Sequence, residues 1–154
     1  MRAPSDRLVL RVLWRIHRFW WRVSGGRIGA RVAGLRVLEL TTTGRTSGEP
    51  RSVLLNYLEH PGGYIVVASN AGADEPPAWW RNLEATPTAR VSVGGKLRDV
   101  ESTAMAGVER DQAWSAFVAA NRGYEEYAAA TSRVIPVVLL RDITGAVRPL
   151  RPTR

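Results

Sequence analysis

The fold is decided by one stretch of the chain, Leu40-Thr41-Thr42-Thr43-Gly44-Arg45-Thr46-Ser47-Gly48-Glu49-Pro50-Arg51. Apolar, β-branched runs at 35–42 and 53–58 flank it, so the stretch predicts a loop that joins two strands. Its glycines allow backbone N–H groups to turn towards a ligand, and its arginines offer forked donors that suit phosphate or carboxylate. The sequence therefore predicts an anion-binding loop here, and a solvated hairpin loop is the alternative.

The composition is that of one globular domain with a strong positive charge. The chain has 154 residues, of which 45% are hydrophobic and 23% are charged, so one domain with a real core is expected. The formal net charge is +8 and Lys96 is the only lysine, so arginines supply a field that favours an anionic partner. The lack of cysteine excludes disulfides and thiol nucleophiles and suits a cytoplasmic protein. His17 and His60 lack ligand spacing, so no metal site is expected.

Residues 5–23 are predicted to form an amphipathic helix that ends at Gly25-Gly26. One narrow face carries arginines and the remaining face is apolar and rich in tryptophan; the arginines are Arg7, Arg11, Arg15, Arg18 and Arg22. Such a pattern is typical of a helix lying in a membrane interface, so peripheral contact with the inner face of the cell membrane is one expectation. The alternative is a helix packed on its own domain, with its arginines in water. No uncharged apolar run approaches the roughly 20 residues that span a bilayer.

The remaining chain predicts strands that arrive in runs, which indicates an α+β protein with a barrel-like sheet rather than a βαβ fold. Strands are predicted at 35–42, 52–58, 64–69, 90–93, 96–105 and 135–142, and helices at 78–85, 108–121 and 124–131. We therefore divide the chain into a basic N-terminal helix and connector (1–34), a barrel domain (35–145) and a loose basic tail (146–154).

A second informative segment runs from Val67 to Leu83. A predicted strand ends in small and polar residues, and a helix led by Pro76-Pro77 begins soon afterwards. Small side chains let a planar ring or a phosphate approach the backbone, and the helix N-terminus adds partial positive charge and free N–H donors. Trp79 and Trp80 are placed to wall a flat ligand. A purely structural strand–loop–helix junction is the alternative.

A third segment, 121–127, places Tyr124 and Tyr127 on one face of a helix. Tyrosines there suit the cover of an aromatic cofactor, and half-buried packing is the alternative. The sequence contains no Ser/His/Asp arrangement, Walker loop or dinucleotide glycine fingerprint. Hydrolytic and nucleotide-binding classes are therefore disfavoured.

These segments, in this order, resemble the deazaflavin-dependent nitroreductase family, which comprises F420-dependent oxidoreductases with a split β-barrel fold. The matching pieces are "TTTGRTSGEPR", "VASNAGADEPPAWWRNLEATP", "GYEEY" and "RVIPVVLL". They extend from about residue 35 to residue 141. The resemblance implies a split β-barrel, similar to FMN-binding split barrels, preceded here by the amphipathic helix.

The resemblance also implies roles for particular residues. The phosphate and oligoglutamate tail of coenzyme F420 would be held by Arg45, Thr46, Ser47, Arg51, Ser52 and Val53. The deazaflavin ring and its linker would be lined by Val67, Ala68, Ser69 and Asn70. The polar end of the cofactor would contact Ala78, Trp79, Trp80, Arg81 and Asn82. Tyr124 would close over the ring, and Ser69 and Tyr124 are the implied catalytic residues.

The function implied by the resemblance is hydride transfer from F420H2 to an electron-poor organic acceptor, namely a quinone, an enone or a nitro compound. A homodimer is also implied, since split barrels commonly dimerise. Two alternatives stay open. One is an FMN-dependent or non-catalytic F420-binding split barrel, and the other is a basic module for membrane surfaces or nucleic acid. Nucleic acid is disfavoured because the aromatics beyond the first helix are not interleaved with basic residues.

Overall fold

The computed structural model describes residues 31–32 and 34–145. It has strands β1 (Arg31–Val32), β2 (Leu35–Thr43), β3 (Pro50–His60), β4 (Gly63–Val67), β5 (Thr88–Val93), β6 (Lys96–Ala104) and β7 (Val137–Asp142). The helices are α1 (Ala78–Ala85), α2 (Gly107–Ala120) and α3 (Gly123–Ala129), and a single 3-10 turn spans Asn70–Gly72. The predicted helix at 5–23 and the predicted tail lie outside the described residues.

The strands form a closed antiparallel barrel. Their order is β1-β2-β3-β4-β7-β6-β5, and β2 also pairs with β5. Strand β2 pairs with β3 from Arg36 to Thr43 and with β5 through Glu39 to Thr41, so six strands close on themselves and β1 adds a short hairpin. The predicted α+β barrel is confirmed.

The barrel interior is filled by one face of each strand and is capped by α1. In β2 the inward residues include Leu38 and Leu40, both fully buried, because alternate residues of a strand face the same side. Helix α1 contributes Trp79 and Leu83 to the same cluster. The helix therefore plugs the barrel and is held beside the loop between β2 and β3.

A second apolar cluster lies outside the barrel. Helices α2 and α3 place Phe117 and Tyr124 against Ile65 and Val67 of β4 and against Val137 of β7. Full burial of one such aromatic side chain contributes about 1.5–3 kcal/mol. This packing fixes α3 beside the end of β4, where the ring-binding segment was predicted.

The segment after β4 departs from the predicted strand. Strand β4 ends at Val67 rather than Ser69, because Ser69 adopts a right-handed helical conformation and Asn70 and Ala71 have positive φ angles of 46° and 52°. The chain thus turns sharply where an extended run was expected. Across 31–32 and 34–145, no helix has the length and apolar character needed to cross a membrane.

Candidate active site

The loop between β2 and β3 is a compact turn that presents arginines. The Gly44 N–H donates to the Glu49 carbonyl at 2.8 Å, and the Gly48 N–H donates to the Gly44 carbonyl at 2.7 Å. Gly48 has a φ of +71°, which glycine adopts without the steric cost of a Cβ. The Oγ of Ser47 accepts from the Glu49 N–H at 3.2 Å and from Nη2 of Arg51 at 3.4 Å. The guanidinium of Arg51 is thereby held beside Ser47.

The other end of the loop is fastened by Asn82 of α1. This side chain is 3% exposed. Its Oδ1 accepts from the backbone N–H of Arg45 at 3.2 Å and from Nη1 of Arg45 at 3.1 Å. Its Nδ2 donates to Oγ1 of the buried Thr42 at 3.0 Å. The amide oxygen thus positions Arg45, while the amide nitrogen anchors the side chain to Thr42 of β2.

A cavity of about 610 Å³ opens between this loop and the start of α1. It is lined by Gly44, Arg45, Thr46, Ser47, Arg51, Ser52, Val53, Asn70, Pro77, Ala78, Trp79 and Asn82. The N-terminal N–H groups of α1 add partial positive charge, and no acidic residue in the first turn of the helix opposes it. We call this space the cationic cavity.

A second cavity of about 310 Å³ lies between β3, the loop after β4, and α3. It is lined by Val53, Leu54, Leu55, Asn56, Val67, Ser69, Asn70, Ala71, Pro77, Trp79, Tyr124 and Tyr127. Tyr124 packs edge-on against Phe117 and Tyr127, with ring centroids 5.2 and 5.7 Å apart. Burial raises the pKa of the Tyr124 hydroxyl, and the neighbouring Asn56 side chain acts in the opposite direction. We call this space the ring cavity.

The two cavities form one groove, since Val53, Asn70, Pro77 and Trp79 line both. Their chemistry differs from end to end. The cationic cavity contains two guanidinium groups, whereas the described residues that line the ring cavity carry no formal charge, and no Asp or Glu among them lines either one. The groove therefore suits a ligand with a polyanionic tail and a flat, mostly neutral head.

Comparison with known proteins identifies the family of the chain. Residues 13–142 match the model of the F420H2-dependent quinone reductase family. The chain belongs to this family. It is 36% identical over 132 residues to an F420H2-dependent quinone reductase of Mycobacterium tuberculosis, and the alignment covers 83% of this chain and 89% of that protein.

Solved structures agree with the assignment to the F420H2-dependent quinone reductases. A structure of an F420H2-dependent reductase is 38% identical, with a TM-score of 0.62, and the match covers 68% of this chain and 93% of that one. A structure described as a domain-swapped dimer is 33% identical, with a TM-score of 0.65, covering 90% of this chain and 100% of that one. The predicted F420-dependent oxidoreductase class, with coenzyme F420 as cofactor, is confirmed by the family.

Most of the predicted site residues of this quinone reductase family member line the groove. The exceptions are Ala68, Trp80 and Arg81. Ala68 is fully buried in the barrel core, and Trp80 packs against the same cluster from outside. Arg81 pairs with Glu75. The roles assigned from the motifs stay predictions.

Two residues near the groove were not among the predicted site residues. Asn56 lines the ring cavity; its position near the ring follows from the family resemblance alone, since a lone asparagine in a strand carries no local signal. Arg133 lies in the connection between α3 and β7 and donates to carbonyls of the loop after β4. The sequence separation of more than sixty residues leaves no spacing from which this contact could be read.

Proposed function

We propose that the groove holds F420H2 along its length, with the acidic tail in the cationic cavity and the deazaflavin ring in the ring cavity, and that a quinone receives the hydride there. The observation that carries this proposal is that, among the described residues, charged side chains line only one end of a continuous groove. Two guanidinium groups line one end, whereas the lining residues described at the other end carry no formal charge and include the rings of Tyr124 and Tyr127.

In the cationic cavity, Arg45 and Arg51 supply the charged donors for phosphate and carboxylate oxygens. Guanidinium groups present paired N–H donors that match such oxygens, and hydrogen bonds of this kind are roughly twice as strong as neutral ones. Arg45 is held by Asn82 and Arg51 by Ser47. Because both side chains are positioned by the protein, the ligand does not have to order them.

In the ring cavity, the fold supplies position and hydrogen-bond donors. The bound reduced deazaflavin supplies the hydride. Ser69 is half-buried on the loop and Tyr124 faces the cavity from α3. We propose that one of these hydroxyls donates to the quinone oxygen on which charge develops, since preorganised donors there lower the barrier. Tyr124 is available as a donor at neutral pH, since the ordinary pKa of tyrosine is about 10 and burial raises it further.

Cofactor binding tests this proposal directly. F420 fluorescence titrations on the wild type and on Arg51→Ala should show weaker binding in the variant. Loss of a charged hydrogen bond of about 1.5–3 kcal/mol corresponds to roughly 10- to 150-fold in Kd. Arg36→Ala is the matched control, since Arg36 lies at the opposite end of β2, roughly 23 Å from Thr43 along the strand. Equal affinities for the two variants would contradict the assignment of the cationic cavity to the cofactor tail.

Turnover with a quinone tests the acceptor. Absorbance of oxidised F420 should appear when the quinone is added to enzyme with F420H2. Parallel assays replace the quinone by an enone or by a nitroaromatic compound. A further assay replaces reduced F420 by reduced FMN, which tests the other flavin. Tight F420 binding without turnover of any acceptor would favour a cofactor carrier.

We also propose that the arginine face predicted for residues 5–23 places the enzyme on an anionic membrane surface, where lipid quinones are found. Support comes from the sequence pattern alone, because these residues lie outside the described structure. Replacement of Arg7, Arg11, Arg15, Arg18 and Arg22 by glutamine should abolish co-sedimentation with anionic vesicles, and neutral vesicles serve as the control. Unchanged co-sedimentation would contradict membrane contact through this helix.

A homodimer is proposed from the similarity to the solved domain-swapped dimer, which the chain matches over 90% of its length. Light scattering on the purified protein should give twice the mass of one 17.0 kDa chain. A monomer mass at micromolar concentration would contradict this proposal.

A further inference from the structure

The guanidinium of Arg133 is used almost entirely on backbone carbonyls. Its Nε donates to the Ala73 carbonyl at 2.8 Å, and its Nη2 donates to the carbonyls of Ala68 and Ser69 at 3.1 and 2.7 Å. Nη1 is buried and has no hydrogen-bond partner within the described part of the chain. The ion pairs formed among residues 34–145 do not include Arg133. The Arg133 side chain is half-buried, and its guanidinium is held by backbone oxygens rather than by a carboxylate.

These hydrogen bonds hold two peptide units in place, and the Gly72 N–H also donates to the Ser69 carbonyl at 3.0 Å. In a planar trans peptide, a carbonyl that points one way directs the N–H of the same unit the opposite way. Because the carbonyls of Ala68 and Ser69 point at Arg133, the N–H groups of Ser69 and Asn70 point away from it. Neither N–H donates to a protein acceptor in the described residues.

The backbone conformation brings those N–H groups together. Ser69 has φ −73° and ψ −33°, in the right-handed region, and Asn70 has a φ of 46°, in the left-handed region. Consecutive residues of opposite hand place successive N–H groups around one concavity, which attracts negatively charged oxygens. Ser69, Asn70 and Ala71 all line the ring cavity. The concavity therefore belongs to the space where the hydride transfer is proposed.

The turn is also held from outside by packing. A Cβ on Gly72 would lie 2.8 Å from the carbonyl oxygen of Tyr127 and 3.0 Å from the Cβ of Ala130, so the loop rests directly on the end of α3. The Thr131 hydroxyl donates to the Asp74 carboxylate at 2.9 Å. These contacts fix the loop against the helix, whereas the Arg133 hydrogen bonds set which way its peptide units face.

We infer that Arg133 is a positioning residue that turns the N–H groups of Ser69 and Asn70 into the ring cavity, as a donor pair for an oxygen that carries or gains negative charge. The inference rests on the proposed function. Two oxygens fit this chemistry, a carbonyl of the deazaflavin ring and an oxygen of the quinone. Hydride adds to the quinone with its electron pair, one quinone oxygen becomes anionic, and that oxygen then takes, through solvent, the proton that the oxidised cofactor releases.

The test compares Arg133→Met and Arg133→Lys with Arg110→Met. Arg110 is the matched control because its Nη2 donates to the Ile135 carbonyl at 3.0 Å in the same α3–β7 connection. For each protein we would measure the Kd for F420, the single-turnover rate of hydride transfer per bound cofactor, and the thermal unfolding midpoint. Arg133→Met should lower either the affinity or the rate on the order of 100-fold, the effect of losing an oxyanion donor. Arg133→Lys keeps the charge without the fork, so it should recover only part of the loss.

The two measurements separate the two oxygens. A loss in F420 affinity assigns the donor pair to the deazaflavin carbonyl, and a loss in rate at unchanged affinity assigns it to the quinone oxygen. Values for Arg133→Met equal to those for Arg110→Met would overturn the inference alone. Absence of F420 binding to the wild type would overturn it together with the proposed function. Should Arg133→Met fail to fold, wild-type affinity and rate in Arg133→Lys would overturn the inference.

Discussion

Asn82→Asp is expected to weaken F420 binding while leaving the fold intact. The amide oxygen of Asn82 accepts two hydrogen bonds from Arg45, and a carboxylate oxygen accepts both equally well. The Thr42 hydroxyl, which now accepts from Nδ2 of Asn82, can rotate and donate to the new carboxylate. Because Asn82 is buried, desolvation of the new carboxylate is costly, but its ion pair with Arg45 offsets this cost and the protein should stay folded.

The expected loss of affinity follows from the position of the new charge. The substituted oxygen lies 3.1 Å from Nη1 of Arg45. An anionic ligand oxygen hydrogen-bonded to the far side of the same guanidinium would lie roughly 7 Å from it. With an effective dielectric constant of about 20, the repulsion at that separation is about 2.4 kcal/mol, or about 50-fold in Kd. Since salt screens exposed charges, the loss should shrink as ionic strength rises.

The assay is F420 fluorescence titration at low and high salt, with thermal unfolding of each variant. Gln112→Glu is the matched control, because it makes the same amide-to-carboxylate change on the exposed face of α2. A deazaflavin fragment that lacks the phosphate and glutamate tail should bind Asn82→Asp and the wild type alike. The reasoning is refuted if Asn82→Asp binds intact F420 at low salt as tightly as Gln112→Glu does.

Three further substitutions test the parts of the fold that hold the groove. Gly72→Ala should lower the free energy of unfolding, measured by thermal unfolding, by well over 1 kcal/mol, because the new Cβ would lie 2.8 Å from the backbone of α3. Gly48→Ala is the control and should lose less stability, since Gly48 has a similar φ with open space around it. Burial raises the pKa of Tyr124 in the folded state. The resulting contribution to the free energy of unfolding is complete below about pH 10, the pKa of tyrosine in an unfolded chain, and is lost as pH rises through the folded pKa. Urea unfolding of Tyr124→Phe should lack this loss. Leu83→Ala should cost about 2–5 kcal/mol in urea unfolding and weaken F420 binding by loosening α1, whereas Leu97→Ala, at an exposed position, should change neither.

The elements with strong local signals could be predicted from the sequence. Helix α1 begins and ends where predicted, at Ala78 and Ala85, because Pro76-Pro77 suits a first helical turn and Thr86-Pro87 stops it. The β5–β6 hairpin turns at Gly94-Gly95, between the strands predicted at 90–93 and 96–105, because two successive glycines accept the positive φ of a tight turn. In both cases the residues that set the boundary lie next to it in the chain.

The end of β4 was predicted two residues too late, for a reason that local patterns do not contain. Ala68 and Ser69 follow Val67 as small residues that are compatible with an extended strand. The turn at Ser69 is closed locally by the Gly72 N–H, which donates to the Ser69 carbonyl, and it is also held by Arg133, far along the sequence, which donates to the carbonyls of Ala68 and Ser69. Closure of the barrel between β2 and β5 has the same character, since it joins Thr41 to Arg90 across several intervening elements.

The groove separates the residues that face a ligand from the residues that hold them. In the loop between β2 and β3 the residue proposed to face the ligand is Arg45, and Oδ1 of Asn82 holds it. In the loop after β4 the groups inferred to face the ligand are the N–H groups of Ser69 and Asn70, and Arg133 donates to the carbonyls of the same peptide units. A chain that kept both motif loops but lost Asn82 or Arg133 would still match the sequence motifs, but its donors would no longer be held in this geometry. The motifs therefore predict which groups of a ligand the site is able to contact. Asn82 and Arg133, which lie far from the loops in sequence, are expected to decide whether the donors point at those groups.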